Sequence, residues 1–160
     1  MLNLSERGSP VAVPLSQSTL SGISANVGRP GYDRARLTPG IVHIGVGNFH
    51  RAHQSWYLGQ LFEQGLNTDW AIIGAGVRAG DAAMREKLKA QDWMCTLIEL
   101  SPEKKSAEIV GSMIDFVAVE DGNGPLIEAM ADPRIRIVSL TVTEGGYYID
   151  PATKGFDANH

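Results

Sequence analysis

Apolar residues show no sustained period over the first forty positions, and from Ile41 they gather into short continuous runs separated by helically spaced stretches. The run Ile41-Val-His-Ile-Gly-Val-Gly47 predicts a strand over 41–47, and Phe49, Ala52, Trp56, Leu58, Leu61 and Phe62 then fall near helical spacing. A helix over 49–65 is expected there, closed by Gly65. A second buried strand follows at Trp70-Ala-Ile-Ile-Gly-Ala-Gly-Val77. Continuous rather than alternating apolar runs, separated by a helix, predict an α/β fold with a mostly parallel sheet covered by helices on both faces.

Further along, Asp81 starts or precedes a helix reaching about Ala90, and segments 93–100 and 107–119 flank the polar turn Ser101-Pro-Glu-Lys-Lys105. The two segments are expected to form a hairpin inserted at the sheet edge. Gly124-Pro125 precedes a helix over 125–131, and Arg134-Ile-Arg-Ile-Val-Ser-Leu-Thr-Val142 is a further core strand ending at Thr143-Glu-Gly-Gly-Tyr147. The Ser-, Gly- and Pro-containing stretch 1–40 is expected to be a surface-draped arm without a catalytic role, and 41–160 the folded domain.

The first strand runs through Gly45-Val-Gly47 directly into a helix, a junction whose backbone N–H groups can approach a phosphate closely. The third glycine of the full dinucleotide fingerprint is replaced by His50. In open α/β sheets ligands bind beyond the carboxyl ends of the strands, so three loops should converge: 45–51, 78–81 and 143–146. No Lys-Ser/Thr follows the glycines, which removes a P-loop reading. Counting about twenty residues past the glycines leads to Asp69, but that residue lies at the amino end of its strand. Asp81, past the carboxyl end, is the better acceptor for adenosine ribose hydroxyls, with a helix N-cap as its alternative role. A carboxylate there repels a 2′-phosphate and favours NAD; nearby Arg78 could attract one, but is expected to be a solvated surface residue rather than a ligand. Arg51 can reach a phosphate or secure a neighbouring loop. Glu144 is either a pocket residue or an acceptor that stabilises its loop.

Composition narrows the classes further. One domain is expected of 160 residues, and 43% hydrophobic content supplies a core. A net charge of −4 without a basic run speaks against nucleic acid as a partner. The single cysteine, Cys95, sits in an apolar stretch as a buried structural thiol and points to a reducing cytoplasm. The apolar run Val11-Ala-Val-Pro-Leu15 is too short for a signal peptide, and no segment reaches the length of a membrane span. His50 and His53 are three apart, but no acidic or cysteine cluster joins them, His43 or His160 to make a metal site. None of the lysines, Lys87, Lys89, Lys104, Lys105 and Lys154, is a convincing base for alcohol oxidation.

Val42-His-Ile-Gly-Val-Gly-Asn-Phe-His-Arg-Ala-His-Gln54 together with Ile137-Val-Ser-Leu-Thr-Val-Thr-Glu-Gly-Gly-Tyr147 closely resembles the long-chain polyol dehydrogenases, the mannitol 2-dehydrogenase family in particular. The resemblance extends over about residues 40–155. It implies a zinc-independent oxidation of mannitol to fructose with NAD, by a Rossmann-like domain followed by a mainly helical one. The family's cofactor turn matches Gly45, Gly47, Phe49, His50 and Arg51, and its acidic discriminator matches Asp81. With Ile44, Val46, Asn48 and Glu144 these make the expected coenzyme-binding set. Two departures stand out: Asn48 where many relatives have glycine, which narrows the turn, and Gly80 where some carry a second acid, which weakens the exclusion of NADP. The family's catalytic lysine, asparagines and histidine lie further downstream, so this chain is expected to be an amino-terminal portion without a complete catalytic set. Two rivals remain, a fructuronate- or tagaturonate-type reductase and a non-catalytic nucleotide-binding module. Gly145, where the uronate relatives tend to carry lysine, favours a neutral polyol.

Overall fold

The computed structural model describes residues 12–157; Val11 and His160 lie outside the described residues, as do the side chains at positions 144 and 145. The described residues form seven strands, β1 (Val27–Gly28), β2 (Pro39–Ile44), β3 (Ala71–Ala75), β4 (Cys95–Leu100), β5 (Lys105–Val110), β6 (Met113–Phe116) and β7 (Ile137–Leu140), and four α-helices. The helices are α1 (Asn48–Ala52), α2 (Gln54–Glu63), α3 (Asp81–Lys89) and α4 (Gly124–Ala131).

The main sheet has the order β6-β3-β2-β7, and every pair in it is parallel. The apolar runs at 41–44 and 71–75 occupy its two central strands, which is why they are continuous: both faces are covered. On one face Ile41, Ile72, Met113 and Phe116 pack with Leu88 of α3 and Leu58 of α2. On the other, Val42, Ala75 and Ile73 pack with Leu126 and Ala129 of α4. Ile72 and Val42 are wholly buried, each side chain contributing about 1.5–3 kcal/mol of apolar transfer. Chain order through the sheet runs outward from β2 to β3 and β6, then returns to the opposite side of β2 for β7. That reversal opens a crevice beyond the carboxyl ends of β2 and β7.

Three details differ from the expectations drawn from periodicity. The segment 107–119 is two strands in two sheets. β5 pairs antiparallel with β4 and parallel with β1, forming a separate three-stranded sheet, whereas β6 joins the main sheet beside β3. The chain breaks at Gly111-Ser112, where Arg34 Nε donates to the Gly111 carbonyl (2.9 Å) and the buried Ser112 hydroxyl donates to the Ser55 carbonyl (2.6 Å). The expected helix over 49–65 is likewise two helices, because His53 leaves helical geometry with φ −120° and ψ −82°. The first strand also ends earlier than expected, at Ile44, since Gly45 turns the backbone to φ +90°. Within the stretch preceding β2, Val27 and Gly28 pair with Ala107 and Glu108 of β5, and Arg34 reaches Asp92, Gly111 and Met113.

Candidate functional site

The carboxyl end of β2 is stitched to both neighbours. The Gly45 amide donates to the Ala75 carbonyl (2.9 Å), and the Ile44 carbonyl accepts from the Thr141 amide (3.0 Å). The loops that follow β2, β3 and β7 therefore meet at one edge of the sheet. Between β2 and α1 the chain makes a tight bend in which the Gly47 amide donates to the Gly45 carbonyl at 2.8 Å. Val46 is buried beneath this bend, and Gly47, Asn48 and Phe49 are exposed above it.

Two features of the bend matter chemically. The amides of Val46, Asn48, Phe49 and His50 donate to no acceptor among the described residues, and Gly47 supplies no side-chain cap to α1. Unsatisfied donors at a helix start attract an anion. Gly47 itself has φ −85° and ψ −172°, extended backbone open to any residue, and the nearest atom to a β-carbon placed there would be the Gly45 carbonyl oxygen at 4.0 Å. The protein's own conformation and packing thus give no reason for glycine at 47.

Arg51 secures the bend from within the protein. Its guanidinium donates to the Val46 carbonyl (3.0 Å) and to Asn48 Oδ1 (2.6 Å), with Nη1 also 3.2 Å from Met84 Sδ. These contacts belong to the loop-securing role, one of the two open to it in the sequence.

The His50 side chain turns inward, beneath the exposed residues of the bend. It is 1% exposed, and its ring stacks on that of His43 with centroids 3.7 Å apart and planes 14° apart. His50 Nδ1 is 3.0 Å from Gln54 Oε1 and Nε2 is 3.1 Å from Ser55 Oγ. Since the amide oxygen only accepts, Nδ1 carries the proton and Nε2 accepts from the serine hydroxyl. Burial, with the neighbouring His43 and Arg51, pushes the His50 imidazole down to about 3, and burial lowers His43 as well. His43 Nδ1 and Nε2 lie 2.9 Å and 3.0 Å from the hydroxyls of Ser139 and Thr141 on the β7 side. The pair therefore forms a neutral, fully hydrogen-bonded floor.

Above this floor lies a crevice of about 540 Å³, bordered by Phe49, Gln54, Thr141, Thr143 and Tyr147 among others. Its volume suits a small-molecule site. His43, Gln54, Ser139, Thr141 and Tyr147 were not singled out by sequence. A readable signal did exist for three of them: His43 interrupts an apolar strand, and Ser139 and Thr141 recur with period two in the strand that pairs with it.

Across the bend, Asp81 opens α3 beyond β3 and folds its carboxylate back over the loop. Oδ2 accepts from the amides of Val77 (3.0 Å) and Arg78 (2.9 Å), whereas Oδ1 has no partner among the described residues. Arg78 is exposed beside it. Glu144 begins a 3-10 turn over Glu144–Tyr147 past β7, and its side chain lies outside the described residues. Among the described residues no group of three or more His, Cys, Asp or Glu side chains is placed to hold a metal, and no helix is long and apolar enough to cross a membrane.

Comparison with known proteins agrees with this layout. The family described as the mannitol dehydrogenase Rossmann domain matches residues 39–157. A mannitol 2-dehydrogenase of Cereibacter sphaeroides is 63% identical over 138 residues, covering 86% of this chain and 29% of the relative. A polyol:NADP oxidoreductase of Gluconobacter oxydans is 41% identical, with 89% of this chain and 30% of the relative covered. Among solved structures, the Pseudomonas fluorescens mannitol 2-dehydrogenase, in a ternary complex with NAD and D-mannitol, superposes with a TM-score of 0.81 at 42% identity over 90% of this chain and 30% of that one. The chain thus spans about three tenths of the length of these relatives. The continuous parallel sheet, the glycine bend at its reversal point and the matched span agree: this chain belongs to the mannitol dehydrogenase family, as its Rossmann domain.

Proposed function

We propose that the chain provides the coenzyme-binding domain of an NAD-dependent polyol oxidoreductase that converts D-mannitol to D-fructose in the cytoplasm. The observation that carries this reading is the bend at residues 45–50, with four amides lacking an acceptor among the described residues beside a glycine that the fold itself does not need. A pyrophosphate fits that chemistry, because it brings negative charge and acceptor oxygens to donors without an acceptor among the described residues.

In this reading the amides of Val46, Asn48, Phe49 and His50 hold the pyrophosphate, with Arg51 keeping the bend in shape. Ile44 and Gly45 fix its base. Asp81 Oδ1 accepts from a ribose hydroxyl on the β3 side, and Glu144 borders the opposite end. The crevice over His43 and His50 receives the nicotinamide half, and its neutral floor places no fixed charge next to the ring. Bound NAD supplies an acceptor for the hydride leaving the carbinol carbon of the polyol. The proton of that hydroxyl needs a base to accept it as the hydride leaves. Support for mannitol as substrate comes from the NAD and D-mannitol bound by the Pseudomonas fluorescens relative, and for a neutral substrate from Gly145.

Calorimetric titration with NADH and NADPH tests the coenzyme assignment. NADH should bind more tightly, and Asp81→Ala should remove that preference, costing NADH about 1.5–3 kcal/mol, the worth of a hydrogen bond to a charged group. Equal binding of both coenzymes to the parent chain, or an unchanged preference in the variant, would contradict it.

A further inference from the structure

We infer that Gly76 is a specificity-determining position, which seats the Asp81 carboxylate where it distinguishes a free ribose diol from a 2′-phosphate; this rests on the coenzyme reading just given. Gly76 follows the last residue of β3 and touches Asp81 directly. A β-carbon at position 76 would stand 2.6 Å from both Cγ and Oδ2 of Asp81, and closer still to its Cβ. Real β-carbon contacts are essentially never that short. Nor can the conflict be relieved by swinging the end of a side chain, because Asp81 Cβ moves only with the start of α3.

The space left by the missing side chain is what lets the carboxylate lie back against the loop. There Oδ2 takes both the Val77 and Arg78 amides, and the loop residues 77–80 are themselves exposed. One oxygen is therefore fixed in orientation by two backbone donors, and the other is left to accept from a ligand. Charge alone would repel a 2′-phosphate from many positions; a carboxylate held by two amides repels it from one. Pushing Asp81 away has three linked effects. The ribose diol loses its acceptor, the negative charge retreats, and the amides of Val77 and Arg78 become donors to whatever anion approaches beside the Arg78 guanidinium. Each effect favours a phosphorylated ribose over a free one.

A β-carbon at 76 should thus shift the two affinities in opposite directions, which general loosening of the fold would not do. The test is calorimetric titration of the full chain with NADH and NADPH, comparing the parent with Gly76→Ala, Asp81→Glu, Asp81→Ala and the Gly76→Ala/Asp81→Ala double variant. Gly76→Ala should weaken NADH and reduce the preference over NADPH at least tenfold, and in the Asp81→Ala background it should move the ratio no further. Asp81→Glu keeps the charge and removes the fit against position 76, so it too should erode the preference; it decides the matter if Gly76→Ala does not fold. An undiminished preference in Gly76→Ala or, where that variant is unfolded, in Asp81→Glu overturns the inference. If Asp81→Ala itself leaves the preference intact, the coenzyme reading falls instead.

Discussion

Gly47→Ala is expected to leave the fold intact and to weaken NADH binding by about one to two orders of magnitude. The two halves of this expectation have separate causes. Alanine adopts φ −85° and ψ −172° without strain, and apart from its two chain neighbours its β-carbon would meet no described atom closer than 4.0 Å. Glycine-to-alanine changes at such compatible positions stabilise by about 0.4–1 kcal/mol, through the unfolded chain. The same methyl would occupy the space through which a pyrophosphate reaches the amides of Asn48 and Phe49, and forced overpacking of this kind costs about 1–3 kcal/mol. Gly45→Ala should behave in the opposite way. With φ +90° its backbone suits glycine, so the penalty of roughly 1–2 kcal/mol falls on folding. Thermal unfolding and calorimetric titration of both variants separate the cases. A Gly47→Ala protein that is stable and still binds NADH with parent affinity would show that the open space is not a ligand's.

Acidification should destabilise the fold in the window between about pH 6.5 and pH 3, because of the buried His43–His50 pair. An imidazole in an unfolded chain titrates near 6.5, about the ordinary value. In the fold His50 is held down to about 3, chiefly by burial. Between those values the unfolded chain binds a proton that the folded chain does not, so unfolding becomes easier as pH falls. The stabilisation is fully present above about pH 6.5 and is lost at about 1.4 kcal/mol per pH unit, or roughly 2 kcal/mol by pH 5 from His50 alone. His43 is shifted in the same direction and adds to the slope. Urea unfolding between pH 7 and pH 5 measures it. His50→Phe retains a ring against His43 but cannot titrate there; it should be less stable at pH 7, through loss of the Gln54 and Ser55 bonds, and show a shallower dependence on pH. An identical slope in parent and variant would rule out His50 as its origin.

Much of the sheet was legible because its chemistry is local. Continuous apolar runs at 41–44 and 71–75 mark strands covered on both faces, and the helical spacing after Phe49 marks the connection between them. The bend was legible for the same reason: two glycines one residue apart cannot easily sit inside a strand and its following helix unless the backbone turns there. What escaped depends on contacts distant in sequence. Gly111-Ser112 reads as part of one apolar segment, and only the guanidinium of Arg34 and the carbonyl of Ser55 show why the chain changes sheets there. The helix break at His53 carries no glycine or proline to announce it. His50 falls in the motif next to the exposed residues of the bend, yet it turns inward to stack on His43, a partner seven positions earlier and on another element. Asp81 was placed by its position after a strand, whereas its seating against Gly76 is visible only in three dimensions.

The pyrophosphate site at the β2–α1 bend can be observed residue by residue through the backbone amide resonances of the chain during titration with NADH. At saturation the largest shifts are expected at Val46, Asn48, Phe49 and His50, with a second group at Val77 and Arg78 beside the ribose acceptor Asp81. Saturable binding that leaves the four amides of the bend unmoved and shifts resonances elsewhere, or an absence of shifts at millimolar NADH, would contradict the coenzyme site proposed for this domain.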